Sequence, residues 1–135
     1  MKTLIKFIII SIVSLMIAAC ATTPFKVAKK YNLGDELTEV SAINSFKLAG
    51  WESIDYQSLI IRTKVNGYYL IVLQRPAPTL PFSEEIAVTL TVDKLRAGFD
   101  DIVVSDSSGS DSYTIYKIYK LKDREQASEI KKRLS

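Results

Sequence analysis

The sequence predicts a mainly β domain: a small curved antiparallel sheet, or a partly open barrel, of five to seven strands with a C-terminal helix. Three observations carry this expectation. Short runs rich in Val, Ile, Thr and Tyr recur between turn signals, the rhythm of an all-β domain. Asn66-Gly67 separates two of those runs as a hairpin turn would. Only the last stretch, from Asp123 onward, switches to helical spacing. A two-layer α+β sandwich is the alternative.

The elements follow in order. Residues 43–54 read as a strand interrupted at Gly50, with Phe46 and Leu48 on one face by alternation. Trp51, the only tryptophan, reads as a core anchor rather than a ligand platform. Residues 59–65 and 68–73 form the hairpin. Asn66-Gly67 suits a type I′ turn, whose two central residues need φ > 0. Such a turn pairs Val65 with Tyr68, Thr63 with Leu70 and Ile61 with Val72. That face is the more apolar and is expected to meet the core.

Pro76, Pro78 and Pro81 rule out a central strand over 75–81, because each proline removes a backbone donor. This stretch reads as a stiff crossover, followed by a single helical turn over 82–85. Ile86, Val88, Leu90 and Val92 alternate with smaller or polar residues and predict a half-buried strand. A turn is expected at Asp93-Lys94. Residues 95–97 begin a strand that Gly98 bends, and 102–104 are a short buried strand. Residues 105–112 (SDSSGSDS) form a hairpin tip. A calcium loop would need ligands at fixed offsets and a closing Glu, which are missing.

Residues 113–121 are a strand of β-formers. Ile115 and Ile118 fall on opposite faces of it unless a bulge intervenes. Asp123 reads as a helix N-cap with Gln126 as its capping-box partner. Ala127, Ile130 and Leu134 make an apolar stripe, and Lys131, Lys132 and Arg133 suit the C-terminal end.

Ahead of this domain, Lys2 and Lys6 precede an apolar run and the tetrad Ile17-Ala18-Ala19-Cys20. Charge, a short apolar run and small residues are the order of a secretory signal. The tetrad resembles the bacterial lipobox. Three readings follow: cleavage before Cys20 with lipidation of its thiol, an ordinary secretory signal, or a retained anchor. The first is preferred, because the only cysteine stands where the lipobox needs it. Acyl chains anchor stably when two or three are present. The expected organisation is a signal peptide over 1–19, a lipidated terminus and tether over 20–39, and one domain over 40–135. Ala21 follows the cysteine where the family rule places Asp for inner-membrane retention. The resemblance therefore implies an outer-membrane lipoprotein facing the periplasm.

Composition narrows the chemistry. The chain has 135 residues, no histidine and one cysteine. No His-based triad, Cys–His pair or zinc site of His or Cys ligands can be assembled once Cys20 is lipidated. The net charge of +3 falls by the two lysines of the signal, so the mature chain is no dedicated binder of nucleic acid. No Gly-rich phosphate loop or serine-nucleophile motif occurs.

Ser45-Phe46, Gly50-Trp51, Asp55 with Leu59, Tyr69-Leu70 with Leu73, Leu80 with Phe82, and Ile115 with Ile118 stand in a familiar order. Over about residues 43–125 the chain resembles a family of small proteobacterial envelope proteins of unknown function, many of them lipoproteins. The resemblance implies no reaction. It also implies a cysteine pair, matched here by Ala77 and Tyr113, so this member lacks both halves.

Four residues on the last strand form the candidate binding surface: Tyr116, Lys117, Tyr119 and Lys120. Stacking rings beside cations suit single-stranded nucleic acid. Export makes an anionic glycan or lipid phosphate the better target. The plainer reading, an amphipathic strand whose tyrosines cover the core rim, is preferred. Asp100-Asp101, Glu84-Glu85 and Asp55 are the carboxylates available for paired work, and turn or capping roles suit them better. No catalytic residue, metal ligand or cofactor is assigned. The expected function is a non-catalytic envelope lipoprotein that docks on a protein or cell-wall partner. The alternative is a binding module with a small apolar or anionic ligand inside the curved sheet.

Overall fold

The computed structural model describes residues 27–65 and 67–135. The signal peptide, Cys20 and Asn66 lie outside the described residues. The chain is mainly β, with a curved antiparallel sheet closed into a half-barrel and one C-terminal helix. Its strands are β1 (Thr38–Val40), β2 (Ala42–Ile43), β3 (Leu48–Ser53), β4 (Ser58–Thr63), β5 (Gly67–Leu73), β6 (Ile86–Val88), β7 (Leu95–Arg96), β8 (Asp101–Asp106) and β9 (Gly109–Leu121). The helix α1 spans Arg124–Leu134.

β9 is the spine. The main sheet runs β3-β4-β5-β9-β8-β6, and β1 also pairs with β9. The first half of β9 pairs with β8, while its second half pairs with β5 on one side and β1 on the other. Between the halves the register slips: Val72 faces Lys117 but Leu73 faces Ile115. The extra residue is a bulge at Tyr116, and it puts Ile115 and Ile118 into the same core. A bulge sharpens local twist, which helps a 13-residue strand curl.

Alternation along β5 sorts the interior into two layers. Tyr69, Ile71 and Leu73 join Leu59, Ile61, Ile102, Ile115 and Ile118 in the main core inside the curl. The pair β2–β7, with Phe46, Ala77 and Leu80 from the connecting segments, closes that side. Leu70 and Val72 face the other way, with Ile60, Tyr119 and Leu121. Ala127, Ile130 and Leu134 of α1 cover this second layer, so the helix lies on a sheet face rather than across an opening. Trp51 packs against the main core, as a core anchor would.

The tether boundary moves. Tyr31, Leu33 and Leu37 are buried in the second layer, so the packed unit begins well before residue 40. Without these residues the sheet face beside α1 would stay wet.

The hairpin register differs from the expected one. Thr63 pairs with Gly67, Ile61 with Tyr69 and Leu59 with Ile71. Three positions, not two, separate the paired residues, and Gly67 takes φ 93°. Three-residue loops are the next most common hairpin connection, and Gly67, the first residue after this one, takes its positive φ at no steric cost. The change of three positions moves every β5 side chain to the opposite face relative to β4.

Three further boundaries shift. The bend expected at Gly50 falls at Asn44-Ser45, where Ser45 has φ 50°, and β3 carries a bulge between Leu48 and Gly50. The strand expected over 86–92 ends at Val88, and the turn centres on Val92-Asp93, one residue early. The helical turn expected over 82–85 is a 3-10 turn at Leu80–Phe82, which takes in Pro81. The N-cap stands as expected: Asp123 Oδ1 accepts from Gln126 N at 2.9 Å. Gln126 Oε1 reaches back to Lys122 N, one residue before the cap, at 2.7 Å.

Candidate functional site

The four residues on β9 do not form one surface. Tyr119 is fully buried in the second layer. Its hydroxyl donates to the Tyr31 carbonyl at 2.9 Å and accepts from the Leu33 N–H at 3.2 Å. Tyr116 is exposed at the bulge, and the Lys117 ammonium lies 5.5 Å from its ring centre. Lys117 also pairs with Glu39 at 3.4 Å. Burial works against the Lys117 charge, and the charges facing it, Glu39 among them, raise its pKa. Lys120 is exposed and pairs across the ladder with Thr38 and Tyr69. Alternation at 119 and 120 splits the set between two faces.

The carboxylates have structural duties. Asp100 is buried, where its Oδ1 accepts from Thr91 Oγ1 at 3.0 Å and its Oδ2 from Arg96 N at 2.7 Å. It staples the turn before it. Asp106 caps the β8–β9 tip by accepting from Ser108 and Gly109. Glu84 and Glu85 are exposed. Among the described residues no group of three or more His, Cys, Asp or Glu could hold a metal.

Among the described residues Asp55 accepts five hydrogen bonds. Oδ2 accepts from Lys30 Nζ at 2.7 Å and from the Tyr31 hydroxyl at 2.6 Å. Oδ1 accepts from Gln57 N, Ser58 N and Ser58 Oγ at 2.8, 2.8 and 2.9 Å. Burial pushes the Asp55 pKa up, but the donors, with Lys30 and Tyr31 foremost, outweigh it and hold the carboxyl below its ordinary value. Burial, then Asp55 itself, pushes the Tyr31 phenol up. Asp55 and Gln57 sit at Asx-turn spacing, which is legible in sequence. Its partners Lys30 and Tyr31 are 25 and 24 residues away and carry no such signal.

This cluster walls a surface groove of about 480 Å³, lined by Lys30, Tyr31, Tyr56, Gln57, Pro76 and Pro78 among others. The Ala77 N–H donates to the Tyr56 carbonyl at 2.6 Å, which pins the proline crossover beside it. The Tyr56 side chain itself points outward, with 53% of its surface exposed. The groove offers apolar walls and stiff prolines beside a neutralised carboxylate.

A family model for a family of unknown function (DUF6491) matches residues 1–135, and the chain belongs to that family. No curated protein matches the chain. No solved structure matches it either.

Proposed function

We propose that the protein is a non-catalytic, lipid-anchored component of the bacterial envelope that docks on a protein or cell-wall partner. One observation carries the docking reading over the ligand-module reading. The inside of the curled sheet is packed with buried side chains, while the apolar groove beside Tyr56 lies outside. A filled core with an exposed apolar face suits a docking surface better than an internal ligand.

The anchor rests on the lipobox at residues 17–20. Among the described residues no helix is long and apolar enough to cross a membrane. Ala28 lines the groove and stands eight positions after Cys20. At about 3.4 Å per residue the groove would work within roughly 30 Å of the bilayer. Ala21 supports the periplasmic face of the outer membrane.

Palmitate labelling with fractionation tests the anchor: label and membrane attachment should both vanish in Cys20→Ala. Photo-crosslinking in cells tests the docking face. A crosslinker at position 56 should give a discrete adduct that one at exposed Val65 does not. Equal yields at both positions, or none, reject the docking reading. The cysteine pair implied by the family resemblance is tested by a double variant, Ala77→Cys with Tyr113→Cys. Both positions are buried in the main core. A reduced double variant in an oxidising compartment rejects the pairing.

A further inference from the structure

We infer that the groove between β3 and the start of α1 binds a phosphate ester carried on a polyol, such as a sugar or glycerol phosphate. It lies apart from the groove beside Tyr56, and the inference stands or falls independently of the docking reading.

Two arginines, Arg62 and Arg124, are among the residues that line the groove. Gly50 and Arg62 face each other across β3 and β4. A Cβ placed on Gly50 would come within 3.4 Å of Arg62 Nη2, so the guanidinium lies over bare backbone. Its hydrogen bond, to the Ala49 carbonyl, is long at 3.4 Å. Arg124 opens α1 and lines the same groove of about 410 Å³. Among the described residues the ion pairs employ Lys30, Lys117, Lys131 and Arg133, and neither Arg62 nor Arg124 takes part in one.

The local carboxylate does not satisfy them. Glu52 lines the groove but is engaged by Lys131 at 2.7 Å. Two arginines outside any ion pair repel when they line one groove, and an anion bound there relieves that repulsion. Arginine presents a planar fork of donors that matches phosphate oxygens two at a time.

The floor argues for more than a bare ion. Half-buried Tyr68, backed by Ile60 beneath, gives it a ring face on which a sugar ring or glycerol chain can lie. Trp51 packs its side chain on the main core on the opposite face, so stacking falls to Tyr68. A neighbouring groove shares Tyr68 and Arg124 and runs along α1 past Ser128 to Lys132, which adds one more cation outside the described ion pairs. Its size lies within the range of about 300–1,000 Å³ common for ligand sites.

The test is an NMR titration of the ¹⁵N-labelled full chain in neutral detergent. The probes are glucose 1-phosphate, glycerophosphoglycerol, inorganic phosphate and glucose. Either ester should give saturable shifts at Gly50, Arg62, Tyr68 and Arg124, weakened by added salt. The tighter ester identifies a saccharide or a lipid headgroup as the source. Arg62→Gln and Arg124→Gln change exposed side chains and should each weaken binding about tenfold or more, with the remaining spectrum unchanged. Four outcomes overturn the inference: no saturable shift with either ester, equal binding of glucose, unweakened binding by both variants, or binding of inorganic phosphate alone. The last would mean an adventitious ion only. Crosslinking at position 56 should be indifferent to Arg62→Gln, which keeps the two readings separable.

Discussion

The Tyr119 hydroxyl and the Tyr31 carbonyl meet at 2.9 Å across 88 positions of chain. The same hydroxyl accepts from the Leu33 N–H, so a single buried oxygen satisfies two backbone groups of the N-terminal segment. Tyr119→Phe keeps the ring and removes both bonds. The variant should lose about 1–3 kcal/mol, because two buried hydrogen bonds go, although the Leu33 N–H keeps its 3.1 Å bond to the Tyr31 carbonyl. Urea unfolding of the full chain checks it. An unchanged midpoint would mean that water replaces the hydroxyl.

Asp55 ties that same segment to the β3–β4 connection through Lys30 and Tyr31. Asp55→Ala should cost about 1.5–3 kcal/mol, since hydrogen bonds to a charged group are lost. The pH dependence follows from the sign of the shift. The folded-state pKa lies below the unfolded one. The unfolded state therefore binds the proton more readily, and the stabilisation is complete above the ordinary aspartate value of about 3.9. It drains away as pH falls from there through the lower folded value. Urea midpoints of wild type and Asp55→Asn should differ at pH 7 and converge toward pH 2. Parallel curves would dissociate Asp55 from acid sensitivity.

Much of this architecture was legible because it is local. The Asp123 cap, the stripe Ala127–Ile130–Leu134 and the bulge needed by Ile115 and Ile118 all follow from spacings within a few residues. What stayed hidden depends on both faces of one ribbon being buried. Ile60 and Ile61 are each within a packed layer, as are Leu70 and Ile71, so hydrophobicity could not choose between registers. The N-terminal segment was hidden for a different reason. Tyr31, Leu33 and Leu37 show neither a helical nor a strand period, and only the fold gives them a surface to cover. The four-residue set on β9 divides for the same reason: Tyr119 lies beneath α1 and residues 31–37, a cover that the pattern of the strand itself does not show.

Gly67 tests the revised register. Its φ is 93°, and a Cβ added there meets nothing within 4 Å. Any cost of substitution is therefore backbone strain rather than a clash. Gly67→Val should destabilise the domain by about 1–3 kcal/mol, as a branched residue resists positive φ. Gly67→Asn should recover part of the loss, because asparagine tolerates the left-handed region. Equal midpoints for Val and Asn in urea would show that the turn relaxes to another geometry.

Val92 offers the opposite change. It has φ 51°, and Asp93 beside it has φ 57°. The flanking Thr91 and Lys94 exchange backbone hydrogen bonds at 3.1 and 3.2 Å, which closes a two-residue hairpin turn of the I′ kind. A β-branched residue is the poorest choice for such a position. Nothing is gained from burial in return, since 83% of the Val92 surface is exposed. Asp100 grips Thr91 and the Arg96 N–H from behind, and the Asp93 carbonyl accepts from the Phe46 N–H at 2.9 Å, so the turn is held from both sides. Val92→Asn keeps the turn and removes the strain, so it should stabilise the domain by about 1 kcal/mol. A raised urea midpoint with an unchanged slope is the expected result. If Val92→Asn stabilises the wild type but not an Asp100→Ala variant, the strain is imposed by Asp100. An unaltered or lowered midpoint in the wild-type background would show that the turn is not strained at Val92.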